Sequence, residues 1–236
     1  MLYERPAPIL RRWLAGHSYD WIALGCAAGQ KESLLAKKLP PPAIFHAADT
    51  NLALAQRATA RIKAARKSYG RIDLDSHLAS FPPPFSPRRL FTLFGVLPNL
   101  APLPLLRRLS QKMRKGDLLL FSANLAPETS GFLGARRILP QYDNPPTRHW
   151  LESAVRQFRP RLDPGRLFFG VFPDPRQRTL ARIEARWVSA RRTTIVFSSR
   201  RPTPAQVETW IRLARLRRVA RFLEPRREEG AWLVTR

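Results

Sequence analysis

The sequence predicts an α/β fold: a Rossmann-like parallel sheet carrying an inserted α+β subdomain. Three observations predict it. Strand-length apolar runs alternate with helix-like segments from Tyr19 to Leu125, the pattern of parallel strands joined by crossover helices. A loop of small residues, Gly25 to Gly29, follows the first run, and an acid, Asp49, closes the second. The alternation then breaks and returns late in the chain. The expected organisation is a core at 1–125, an insertion at 126–189 serving as a lid or substrate subdomain, and the rest of the core at 190–236.

The elements follow in order. "DWIALG" reads as a first strand ending at Gly25, and Gln30 to Lys38 as a helix. "AIFHAAD" is a second strand. Asn51 to Ala65 is a helix, with Leu54, Ala58, Ile62 and Ala65 on one face. "RIDL" is a short third strand and "RLFTLFG" a fourth. Pro104 suits a first helical turn, and Leu105, Leu109 and Met113 continue it at helical spacing. "GDLLLFSA" is a fifth strand.

Within the insertion, "QYDNPPT" leads into a helix bearing Trp150, Leu151, Val155 and Phe158. "RLFFGVF" and "TLARIEARWV" then read as strands. The second alternates Ala181, Ile183, Ala185 and Trp187 with Arg182, Glu184 and Arg186, which marks a half-buried antiparallel strand. "TTIVFSS" is expected to rejoin the core. Thr203-Pro204-Ala205-Gln206 is a capping box opening a helix, and "RVARFLE" and "GAWLVTR" close the sheet.

Composition bounds the function. At 236 residues and 44% apolar content the chain can bury a sizeable core. It lacks an apolar run of the roughly 20 residues that span a bilayer, and "MLYERPAPILRRWLAG" lacks a signal-peptide core. Cys26 is the single cysteine, which leaves no internal disulfide or thiolate zinc cage. The expectation is a cytoplasmic protein without a membrane partner. The net charge is +25, and only seven of the 42 basic residues are lysine. Such an arginine field predicts a non-specific affinity for nucleic acid, although zinc-finger and RNA-recognition signatures are missing. The histidines, His17, His46, His77 and His149, show no metal-ligand spacing.

Asp49 lies 20 residues after Gly29, the arrangement of a Rossmann-type nucleotide site. Small side chains let backbone approach a ligand, and an acid at the tip of the second strand can accept both ribose hydroxyls. Lys31 and the lack of G-x-G-x-x-G argue against a dinucleotide pyrophosphate. A cofactor with ribose and adenine but no phosphate fits better, namely S-adenosylmethionine. In "DLDSHL", Asp73 or Asp75 is placed to face an adenine.

"GCAAGQK", "HAADTN", "IDLDSHL", "FGVLPNLAP", "KGDLLLFSANLAP", "QYDNPPT" and "TPAQVETWIRLARLRRVARFLEP" together resemble, in order and spacing, the histidine-specific methyltransferase family of the ergothioneine pathway. The resemblance spans residues 18–236. It implies a class I methyltransferase core that uses S-adenosylmethionine to methylate an amine of a small, amino-acid-like molecule. It implies that Gly25, Ala27, Gly29 and Lys31 hold the methionine part, Asp49 the ribose, and Asp73 and Leu74 the adenine, with Gly95 also at the cofactor. It further implies that Asn99 in "VLPN" binds the acceptor's amino-acid end and that Tyr142 in "YDN" closes on the acceptor.

Some residues depart from the family pattern. Ala27 replaces a second loop glycine, and Val196 or Phe197 stands where histidine-methylating members carry an acid. These departures point the acceptor away from histidine itself. Two alternatives follow from the same residues: a nucleic-acid methyltransferase steered by the arginine field, or a degenerate methyltransferase-like fold acting as a basic binding module. "DNPP" at 143–146 also resembles the motif of amino-group nucleic-acid methyltransferases, displaced into the insertion.

Overall fold

A computed structural model of the chain describes residues 1–74, 85–128, 130–159 and 162–236. Two compact units are present. The first comprises Met1–Ala123, Gln206–Pro225 and Glu229–Arg236; the second comprises Asn124–Ala205 and Arg226–Glu228.

The first unit is built on β1 (Tyr19–Leu24), β2 (Ile44–Asp49), β3 (Arg66–Arg71), β4 (Arg88–Leu93) and β5 (Leu118–Asn124), with β9 (Arg217–Leu223) and β10 (Glu229–Thr235) from the chain's end. They form one seven-stranded sheet in the order β3-β2-β1-β4-β5-β10-β9. β1 pairs parallel with β2 and β4, as do β2 with β3 and β4 with β5, whereas β9 and β10 form an antiparallel hairpin. Every residue of β1 is buried, which is why its sequence does not alternate: Trp21 to Leu24 are apolar, and the buried Asp20 carboxylate accepts the Phe85 and Ser86 N–H groups at 2.8 and 3.0 Å.

Helices cover both faces. α1 (Ala7–Leu14), α2 (Gln30–Ala36) and α3 (Leu52–Arg61) pack Leu10, Leu35 and Ala58 against Trp21, Phe45 and Leu120. Trp232 points the other way, stacked on Phe121 at 5.7 Å, and its indole N–H donates to Glu208 at 3.0 Å. Glu208 belongs to α7 (Pro204–Leu213), and α4 (Pro102–Lys112) supplies Leu105, Leu106 and Leu109 to the core.

The second unit holds α5 (Gly131–Ile138), α6 (Pro145–Phe158) and an antiparallel sheet of β6 (Gly165–Pro173), β7 (Ala181–Ser189) and β8 (Thr193–Arg201). Two expectations are corrected here. "TTIVFSS" does not rejoin the main sheet: it lies in β8 and pairs with β7. A link of three residues, closed by the Ser189 N–H on the Arg192 carbonyl at 3.0 Å, reaches only an antiparallel neighbour. The third strand of the main sheet precedes "RIDL". It is a polar edge strand, where exposure to solvent on one side removes the apolar signature. Ile72 and Leu74 are buried where the chain leaves the sheet. Among the described residues no helix is long and apolar enough to cross a membrane.

Candidate cofactor site at the strand ends

The candidate residues of the first unit lie at or follow the carboxyl ends of β1, β2, β3 and β4. Gly25 ends β1 with its N–H on the Ala48 carbonyl at 2.7 Å. A Cβ there would come within 2.7 Å of Val96 and 3.3 Å of Leu74. Gly29 caps α2 with φ of 73°, and a Cβ would meet Ala58 at 2.9 Å. Gly25 also has a positive φ, of 57°, so both positions exclude larger residues on backbone conformation as well as space.

Between these glycines the loop is tied to the second strand. The Ala27 N–H donates to Oδ2 of Asp49 at 2.8 Å, and the Asn51 N–H donates to Oδ1 at 2.9 Å. Asp49 is 8% exposed. The Thr50 hydroxyl also donates to Oδ1, at 3.4 Å. A carboxylate has about four acceptor sites, so these bonds fix its direction and leave capacity for a ligand hydroxyl.

Lys31 extends from α2 toward the end of β4. Its Nζ lies 2.9 Å from where a Cβ of Gly95 would stand, and the Gly95 N–H donates to Ser122 Oγ at 2.9 Å. The ammonium sits 4.8 Å over the ring of Tyr3 and 3.5 Å from Glu229 Oε1. The Tyr3 hydroxyl donates to the same Glu229 oxygen and lies 3.4 Å from Ser122 Oγ. Tyr3 is buried, which pushes its phenol well above the ordinary range.

Beneath the loop lies Glu32, 1% exposed, with Oε1 unpartnered. Burial pushes its carboxyl up to about 7, against smaller opposing effects from backbone hydrogen bonds, Lys31 and Thr92. Cys26 is buried as well, its thiol pushed up to about 12 chiefly by desolvation and then by Glu32 and Asp49. A thiol so held is a packing group rather than a nucleophile.

Gly25, Ala27, Gly29, Lys31, Asp49, Leu74 and Gly95 are thus joined by contacts around one loop. Asp73 is exposed, and Asp75 and His77 lie outside the described residues. Asn99 is exposed on the 3₁₀ turn Leu97–Asn99 that follows β4. Tyr142 belongs to the second unit, where its ring stacks on Phe197 at 5.7 Å beneath the Arg201 guanidinium at 4.7 Å. "DNPP" is a helix start: Asn144 caps α6 by accepting the Thr147 N–H at 3.0 Å, with prolines in the first turn. His46 bonds Ser68 at 2.8 Å, and burial lowers its pKa. No cluster of metal-ligating side chains occurs among the described residues.

Sequence reasoning missed Tyr3, Ser122 and Glu229. Ser122 left a signal, as a hydroxyl within the apolar run "LLLFSA". Tyr3 left none, because its partners are 119 and 226 residues away.

No protein-family model matches the sequence, and no curated protein matches it. Solved structures do. An S-adenosylmethionine-dependent methyltransferase from Clostridium acetobutylicum aligns over 99% of this chain and 90% of its own, with a TM-score of 0.55 at 13% identity. One from Mesorhizobium loti aligns over 97% and 96%, with a TM-score of 0.53 at 12% identity. A protein described as a pericyclic reaction enzyme aligns over 96% of this chain and 46% of its own, with a TM-score of 0.51 at 11% identity. These likenesses establish the fold: a Rossmann-like sheet of the class I S-adenosylmethionine-dependent methyltransferase kind. The fold by itself does not set the chemistry, which resides in the residues of the site.

Proposed function

We propose that the chain is an S-adenosylmethionine-dependent methyltransferase acting on an amine of a small, amino-acid-like molecule. The observation that carries this reading is the Asp49 carboxylate, held against the loop amide of Ala27 at 2.8 Å. An acid fixed at that strand end suits a pair of ribose hydroxyls. The rest of the donor set fits the same cofactor. Lys31 and Glu229 stand 3.5 Å apart and offer opposite charges to the carboxylate and ammonium of a methionine end. Leu74 and Val96 border Gly25 and offer an apolar edge to an adenine.

The cofactor, when bound, supplies a methyl group already activated on a sulfonium. The protein's part is then to orient and to exclude water, effects worth roughly 7–11 kcal/mol in favourable cases. Asp49 orients the sugar, and the Lys31–Glu229 pair orients the amino-acid end. Asn99, an exposed amide on the turn that follows β4, is the candidate for the acceptor's polar end. An amine acceptor must reach the methyl group unprotonated. The family resemblance supports an amino-acid-like acceptor, and Val196 and Phe197 weigh against histidine as that acceptor.

Incubation with methyl-labelled S-adenosylmethionine and a panel of amino acids, small amines and RNA tests the proposal. The expected result is label in one small amine, reduced in N99A. Label in RNA alone, or in nothing, overturns it.

A further inference from the structure

The second unit carries a surface that the cofactor site does not use. The pairing of β6, β7 and β8 places Phe168 and Phe172 on one sheet face with Arg182, Glu184 and Arg186. Ile195 and Arg200 of β8 stand on that face too, opposite Arg186 and Arg182. The other face is the apolar one: Leu167, Phe169, Ile183 and Trp187 pack there with side chains of α5 and α6. The alternation of β7 marks a half-buried strand with Arg182, Glu184 and Arg186 on one face. The structure builds something more specific.

Phe168 is 52% exposed and Ile195 44% exposed. Phe168 and Phe172 meet edge to face at 6.5 Å. Gly170 lies between them, and a Cβ there would come within 2.8 Å of the Phe172 ring and 3.2 Å of the Phe168 ring. The missing side chain is what lets the rings close over the strand. The Arg186 guanidinium lies 3.3 Å from the centre of the Phe172 ring.

The arginines are held from below. Glu184 is fully buried. It takes Arg186 Nε on one oxygen at 2.7 Å and Arg182 on the other. Asp174, also buried, takes Arg200 Nε at 2.7 Å and faces Arg182 at 4.0 Å. Two carboxylates thus position three guanidinium groups beside exposed aromatic surface, and positive charge remains in excess. Exposed Arg166 adds to it on the same strand face as Phe168, as do Arg191 and Arg192 at the β7–β8 turn.

We propose that this face binds single-stranded nucleic acid, with bases stacked on Phe168 and phosphates on the flanking arginines. Each half of the surface answers one half of that ligand. A base offers a π face whatever its identity, so stacking on an exposed ring is sequence-tolerant. A guanidinium fixed in direction matches phosphate oxygens and loses little freedom on binding. A duplex hides its base faces and leaves Phe168 unused. An acidic polypeptide meets the charge but not the ring. The net charge of +25 steers any polyanion toward the chain, and this face is where attraction becomes recognition.

The test is fluorescence anisotropy of the full chain with a labelled oligouridine about 12 nucleotides long, titrated at salt from about 50 to 200 mM. Saturable binding is expected. Phe168→Ala weakens it roughly five- to 150-fold, the loss of one stacked base, and Phe168→Tyr restores it. Because Phe168 is exposed, neither change threatens the fold. Arg166→Ala makes the log–log salt dependence shallower by about 0.7. Wild-type affinity in Phe168→Ala, or competition by duplex RNA or polyglutamate as effective as by the single strand, reduces the binding to bulk charge and overturns the proposal.

Discussion

The backbone N–H of Ala27 donates to Oδ2 of Asp49 at 2.8 Å, joining positions 22 residues apart. This one bond couples the turn after β1 to the tip of β2. The acid is thereby aimed at the space in front of the loop rather than along its own strand. A loop of small residues gives close backbone approach, and the bond gives that approach a fixed acceptor.

Glu32 makes stability depend on pH. Its carboxyl has a folded pKa of about 7 against an ordinary 4.5 because it is buried. Between these values the folded chain holds a proton that the unfolded chain has lost, so stability falls as pH rises. The full advantage is present below about pH 4.5 and gone above about pH 7, a change of up to ~3 kcal/mol. Thermal melts of wild type and Glu32→Gln at pH 5 and pH 8 check this. The wild type should lose stability relative to the variant over that interval, and a constant difference contradicts the assignment.

Asp117 anchors the other side of the sheet. It is 1% exposed, and its Oδ2 accepts from Arg89 Nε at 2.9 Å and from the Arg114 N–H at 2.7 Å. Arg89 also donates to the Lys112 carbonyl at 2.9 Å, which ties β4 to the end of α4. Removing one partner of a buried pair strands the other charge, at about 3–5 kcal/mol. Asp117→Ala should lower the urea midpoint accordingly, and so should Arg89→Met, which strands the buried Asp117 carboxylate instead.

How much of this was legible in the sequence differs by element. β1, β2, β4 and β5 announced themselves because strands covered on both faces are mostly apolar rather than alternating, and Asp49 stood out as the acid ending such a run. β3 was misplaced because an edge strand with polar residues has no such signature. β8 was assigned to the wrong sheet because "TTIVFSS" is apolar enough for either one, and only the three-residue link to β7 distinguishes them. The full burial of Glu184 was not legible, because alternation alone cannot reveal that neighbouring arginines and phenylalanines cover it. Tyr3 and Glu229 stayed hidden because they meet Lys31 only through the tertiary fold.

Tyr3 tests that hidden part of the site. Its hydroxyl donates to Glu229, and its ring lies 4.8 Å under the Lys31 ammonium. Tyr3→Phe keeps the ring and deletes the donor to a charged acceptor, a loss of about 1.5–3 kcal/mol in urea unfolding. Tyr3→Leu removes the cation–π contact as well and should weaken S-adenosylhomocysteine binding further than Tyr3→Phe does. Equal binding by both variants would show that Lys31 is positioned without the ring.

Calorimetric titration of S-adenosylhomocysteine into wild type and Asp49→Ala tests the central claim most directly. The account predicts measurable binding to the wild type and a loss of about tenfold or more in the variant, as expected when a charged acceptor of ligand hydroxyls is removed. Affinity unchanged within about twofold, less than 0.5 kcal/mol on the same scale, would contradict it.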